Sequence, residues 1–124
     1  MLALDYGLAR CGAAISDPTG TLARPLDAVE PPDPAAIAEL ARTEEAEHVI
    51  VGLPTTLGGE EGEQARITRE FAEELAELLD VPVETYDERL TTRMADRSAR
   101  EGAKGHRDSL AAAHLLESYL ESRR

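Results

Sequence analysis

The chain has 124 residues, 42% of them hydrophobic but only 3% aromatic, and a formal net charge of −12 from 13 basic and 25 acidic residues. That length suits one domain, residues 1–124, with a core built from Leu, Val, Ile and Ala. A single cysteine, Cys11, excludes an internal disulfide, and the sequence shows no leader-like or long apolar segment, which argues against a membrane protein and for a cytoplasmic one.

Residues 1–4 and 11–15 are apolar runs flanking a glycine-containing turn, which predicts a strand–hairpin–strand unit whose second strand spans 11–16. Asp5 closes the first run. A carboxylate leaving a sheet core is costly unless it is paired, hydrogen-bonded or bound to a cation. Two roles suit it: acceptor for backbone N–H groups of the turn at Gly7–Arg10, or metal ligand at the lip of the sheet. Residues 16–20 read as a turn and 21–29 as a third strand, whose Pro25 suits a sheet edge. A helix opens with Asp33 as N-cap and Pro34 in first position, and runs to about Glu47 over a stripe of Ile37, Leu40 and Ala41.

Residues 49–52 form a β-branched strand predicted to lie parallel to the first, followed by a Gly-containing loop over 53–59. A second helix is predicted over 62–79, burying Ile67 or Thr68, Phe71, Ala72, Leu75, Leu78 and Leu79, while Glu70, Glu73, Glu74 and Glu77 face water. A fifth strand spans 81–86, with Pro82 favouring an edge. Residues 87–92 lead into a helix to about Glu101, then a basic loop over 102–107 and a closing helix over 108–120. The order predicts an α/β fold with a mixed five-stranded sheet flanked by helices.

Parallel strands deliver their C-terminal ends to one edge, where α/β sites form. Here that edge receives Asp5, the 52–59 loop, and Asp87 with Glu88. The closing helix adds Asp108, which lies three, four and seven residues before members of the stripe Ala111, Ala112, Leu115, Leu116 and Tyr119. Asp108 therefore shares their face, unless it serves as an N-cap. His114, Glu117, Ser118 and Glu121 fall on the opposite, solvated face. Three carboxylates at one edge repel unless a cation neutralises them. All-oxygen ligands favour Mg²⁺ or Mn²⁺, ions that serve phosphoryl chemistry.

Taken whole, the net charge argues against nucleic acid, but its distribution is uneven. Residues 89–107 carry six basic residues against two acids, Asp96 and Glu101. Arg93, Arg97, Arg100 and Lys104 fall at i, i+4, i+7 and i+11, one helical stripe. Beside an anionic metal site it reads as a guide for a phosphate backbone; alone it is a solvated helix face.

Leu4-Asp5-Tyr6-Gly7 with Arg10 and Gly12, Val51-Gly52-Leu53-Pro54, Asp87-Glu88-Arg89-Leu90-Thr91-Thr92, and Asp108-Ser109-Leu110-Ala111-Ala112 ending in Ser118-Tyr119-Leu120 resemble the motifs of the YqgF (RuvX) family. These are bacterial RNase H-like proteins related to the RuvC Holliday junction resolvases. The resemblance implies an RNase H-like fold with strand order 3-2-1-4-5. It also implies a metal-dependent nuclease in which Asp5, Glu88 and Asp108 are the catalytic, metal-holding carboxylates. The expected nucleic-acid contacts are Arg10, Arg89, Arg93, Arg97, Arg100, Lys104 and Arg107.

The implied substrate is the 5′ end of the 16S rRNA precursor, met in ribosomal precursor particles during ribosome biogenesis. The alternative is a Holliday junction, a branched DNA. A non-catalytic rRNA-processing factor is a further alternative, as is a nucleotide-binding module, since Asp5-x-Gly7 with Gly12 also resembles the first phosphate loop of the actin and Hsp70 ATPases. The chain departs from the family pattern at Ala9, where a basic residue is usual, and at Thr55-Thr56, which replaces Leu-Asn.

Overall fold

Alternation along the first strand sorts its side chains between two helical layers, and the rest of the sheet follows. The computed structural model describes residues 1–17, 19–20, 22–54, 62–87 and 107–122, with the backbone alone at 107 and 108. Five strands, β1 (Leu2–Tyr6), β2 (Cys11–Ser16), β3 (Ala23–Val29), β4 (Val49–Leu53) and β5 (Val83–Asp87), form one sheet in the order β3-β2-β1-β4-β5. β2 is antiparallel to β1 and β3, whereas β4 is parallel to both β1 and β5. This is the mixed sheet and the order expected above. The described helices are α1 (Pro34–Thr43), α2 (Glu63–Leu78) and α3 (Arg107–Ser122).

Helices α1 and α2 cover one face, where Leu2, Leu4, Val49 and Val51 meet Ile37, Phe71 and Leu75. Helix α3 covers the other, where Ala3, Ala14 and Ile50 meet Ala112, Leu115, Leu116 and Tyr119. The α3 side of β1 and β2 is lined by small residues, which lets the helix backbone approach the sheet closely. Among the described residues, no helix is long and apolar enough to cross a membrane.

Both strands expected at the edges lie there, β3 with Pro25 inside it and β5 with Pro82 just before its first residue. They are shorter or shifted relative to expectation: β3 begins at Ala23 and β5 spans Val83–Asp87. The chain before β5 is engaged differently, with the Pro82 carbonyl accepting from Val49 N–H at 2.9 Å.

Helix α1 ends at Thr43, not near Glu47. Glu45 takes a left-handed backbone (φ 54°), and its N–H donates to the Arg42 carbonyl at 3.1 Å while Ala46 N–H reaches the Ala41 carbonyl at 2.9 Å. That pattern is a Schellman stop, built here without the usual glycine. Asp33 occupies the N-cap position, but its side chain makes no capping bond.

On α2 the buried position is Thr68, whose hydroxyl donates to the Gln64 carbonyl at 2.8 Å. Leu78, expected in the core, is 43% exposed. The chain turns into extended backbone at Leu79 (φ −117°, ψ 151°), and Leu79 takes the place against the core. Helix α3 is also more enclosed than expected. His114 is not solvated, with a side chain only 16% exposed, and Ala113 joins the core. Ser118, placed on the solvated face by its spacing, meets the Tyr86 hydroxyl at 3.0 Å.

Candidate active site

Asp5 lies inside β1, paired with Gly12 of β2, one residue before the strand ends. The face it belongs to follows from its neighbours. Tyr6 stacks on Phe71 of α2 with ring centroids 4.2 Å apart, while Ala3 packs on the α3 side. Period-two alternation therefore places Asp5 on the face covered by α3. Its cross-strand partner on that face is a glycine, so no side chain from β2 competes for the space beside the carboxylate.

The turn after β1 satisfies itself. Gly7 N–H donates to the Arg10 carbonyl at 3.0 Å, and a Cβ at Gly7 would stand 3.0 Å from that same oxygen, so a side chain there would press on the closure. Cys11, next in the chain, is fully buried. Burial pushes its thiol up from the ordinary cysteine value, and the Asp5 carboxylate adds to the shift. It is core filler, not a nucleophile.

The first turn of α3 carries Asp108, and Ser109 fixes where that turn sits. Ser109 is 1% exposed, and its hydroxyl oxygen accepts the backbone N–H of Ala13 at 3.3 Å. The bond falls where the β2–β3 register shifts between Cys11 and Ala13, an irregularity that interrupts the ladder. Ala13 adjoins Gly12, the partner of Asp5. The start of α3 is thus pinned one strand away from Asp5. Sequence reasoning passed over Ser109, yet a signal was present: it lies three, four and seven residues before the buried Ala112, Ala113 and Leu116. Removing its hydroxyl leaves a buried N–H unsatisfied. Ser109→Ala is expected to lower the free energy of unfolding by about 1–3 kcal/mol in urea titration.

On the other side of β1, β4 stands between Asp5 and β5, so the end of β5 is two strand spacings away, each about 4.8 Å. Asp87 ends β5, in register with Leu53. Arg10, half-exposed, lies 3.9 Å from the Glu30 carboxylate. The other predicted site residues, Glu88, Arg89, Arg93, Arg97, Arg100 and Lys104, lie outside the described residues, as do the 55–61 loop and the predicted helix before residue 101. Among the described residues no group of three or more His, Cys, Asp or Glu side chains gathers in a way that could hold a metal.

A protein-family model described as RuvX, Holliday junction resolvase, matches residues 1–122. The chain belongs to the RuvX family. RuvX relatives cover it end to end. A protein of Chloroflexus aurantiacus named "Putative pre-16S rRNA nuclease" is 40% identical, covering 100% of this chain and 88% of its own. A relative of the same name from Rubrobacter xylanophilus is 45% identical over 96% of this chain and 90% of its own. Among solved structures, Thermus thermophilus RuvC in complex with Holliday junction substrate superposes with a TM-score of 0.63 at 18% identity, covering 99% of this chain and 95% of that one. That likeness shows the RNase H-like fold of this RuvX chain.

Proposed function

We propose that this chain is a divalent-metal-dependent endonuclease that hydrolyses a phosphodiester bond in the maturation of the 5′ end of 16S rRNA, with Asp5, Glu88 and Asp108 as its metal-holding carboxylates. What supports the reading, beside family membership, is the docking of α3: Ser109 ties the turn that carries Asp108 to the strand facing Asp5. A cytoplasmic place of action follows from that substrate, and residues 1–124 act as one RNase H-like domain.

The donor set fits a hard cation. It is all carboxylate oxygen, which selects Mg²⁺ or Mn²⁺ over zinc, and Gly12 leaves the face beside Asp5 open. When bound, such an ion activates water and neutralises charge on the leaving oxygen. The chain's own part is to hold three anionic side chains in register and to bring the backbone of the substrate to them. Asp5 does this from a strand interior and Asp108 from a helix pinned to the sheet, both rigid supports. Arg10, half-exposed at the β1–β2 turn, contributes a phosphate contact at the edge. Arg89, Arg93, Arg97, Arg100, Lys104 and Arg107 extend that contact.

The test is cleavage of a 16S precursor fragment and a synthetic four-way DNA junction, side by side, in Mg²⁺ and in Mn²⁺. The RNA is expected to be cut at a defined position and Asp108→Asn to slow that cut by on the order of 10²-fold or more. Cleavage of the junction alone would assign the chain to branched DNA, the reading favoured by the description of its family. Binding of RNA with no cleavage in either metal would make it a processing factor without chemistry.

A further inference from the structure

β5 is an edge strand that pairs, among the described residues, with β4 alone, and none of its residues is fully buried. Burial by itself therefore holds the end of this strand only loosely. Val83 packs on the side of α1 and α2, so period-two alternation turns Glu84 and Tyr86 toward α3. Both are tied to that helix. The Tyr86 and Ser118 hydroxyls share a hydrogen bond of 3.0 Å, and the Tyr119 hydroxyl donates to the Glu84 carboxylate. His48, just before β4, sets its imidazole 3.0 Å from the same carboxylate oxygen. The Tyr119 ring meets the rings of Tyr86 and His48 edge to face, with centroids 5.4 and 5.7 Å away.

This clasp differs in kind from the rest of the α3 interface. Toward β1, β2 and β4 the helix presents Ala112, Leu115 and Leu116 to Ala3, Ala14 and Ile50, a contact without preferred direction. Toward β5 it presents hydroxyls, and hydrogen bonds weaken steeply off line. One such bond adds little net stability; what it adds is orientation. Tyr86 stands two residues before Glu88, and Ser118 lies on the helix that begins with Arg107 and Asp108. A residue next after a strand starts about 3.8 Å beyond the last Cα, so its reach depends on how that strand end is held. The clasp thus joins the strand that leads to one proposed metal ligand to the helix that carries another.

We propose that Tyr86 is a positioning residue for the metal site: bonded to Ser118, it locks the end of β5 to α3 and so sets Glu88 against Asp108 at the separation a shared divalent ion needs. This rests on the nuclease reading above. It makes metal affinity, not RNA affinity, depend on a hydroxyl that is not itself a ligand.

The experiment titrates the full chain with Mn²⁺ alone, following loss of the free-ion electron paramagnetic resonance signal. Wild type is compared with Tyr86→Phe, Ser118→Ala, the double variant, and Thr68→Val, which removes a hydroxyl bond within α2. Tyr86→Phe keeps the ring and loses only the hydroxyl. It is expected to weaken Mn²⁺ binding roughly tenfold, the lower end for loss of a group that orients a metal ligand. The Mg²⁺ midpoint of RNA cleavage should shift by the same factor, with KM for RNA unchanged. Ser118→Ala should match it, and the double variant should lose no more than either single, since both remove one bond. Thr68→Val should bind Mn²⁺ as wild type does. Wild-type Mn²⁺ affinity in either folded single variant would overturn the inference, as would losses that add in the double variant or an equal loss in Thr68→Val. If wild type binds Mn²⁺ but cuts neither RNA nor junction, the nuclease reading falls while the binding comparison still decides Tyr86. If wild type binds no Mn²⁺, both fall.

Discussion

Asp5→Asn is expected to slow metal-dependent cleavage by about 10³-fold while the protein melts at or near its wild-type temperature. The amide keeps the size of the carboxylate and the β1–β2 pairing at Gly12, so the strand has no reason to move. What disappears is one negative charge from the group that would hold the metal. Loss of a single preorganised stabilising group in an enzyme costs on the order of 10²–10³ in rate, and a carboxylate that carries the ion itself belongs at the upper end. Single-turnover cleavage under saturating enzyme in Mg²⁺ and Mn²⁺, with circular-dichroism melting of the same samples, measures both halves. A wild-type rate in a folded Asp5→Asn protein is the result that ends the mechanism.

The second large effect is on stability. Leu116→Ala is expected to cost about 2–5 kcal/mol of unfolding free energy, the usual range for truncating a fully enclosed leucine. Leu116 is 0% exposed and sits in the α3-side core among Ala3, Ala14 and Ile50. Those neighbours are small or already engaged in strands, so they cannot close readily over the cavity. Urea unfolding should show a lower midpoint with an unchanged slope. The same truncation at the exposed Leu22 should change stability by about 0.5 kcal/mol or less. A Leu116→Ala protein as stable as wild type would mean that α3 does not contribute its face to the core.

Much of this architecture could be read before any coordinates. The short apolar runs with their Gly and Pro punctuation marked all five strands, and Pro25 and Pro82 identified the two edges. What escaped was set by tertiary partners. The stop of α1 relies on Glu45 accepting a left-handed backbone, a conformation that a search for glycine does not find. His114 and Ser118 fall opposite the apolar stripe by spacing, yet the helix is enclosed on that side too.

At the candidate site, the place of Asp5 near the end of β1 was legible because an acid at the end of an apolar run demands an explanation. Ser109 was not, because its significance is a bond to a strand 96 residues earlier. The proposed roles of Glu88 and Asp108 rest on the family motifs and on the docking of α3.

The two faces of the sheet are covered unequally, with two described helices on one and α3 on the other. This has a bearing on biosynthesis. Until the last helix leaves the ribosome, a nascent chain that has already assembled β1 to β5 presents Ala3, Ala14, Ile50 and Tyr86 as a bare apolar plane, the kind of surface that draws unfinished chains together. Helix α3 also brings Asp108, so the step that removes this aggregation hazard and the step that would complete the carboxylate set are one event.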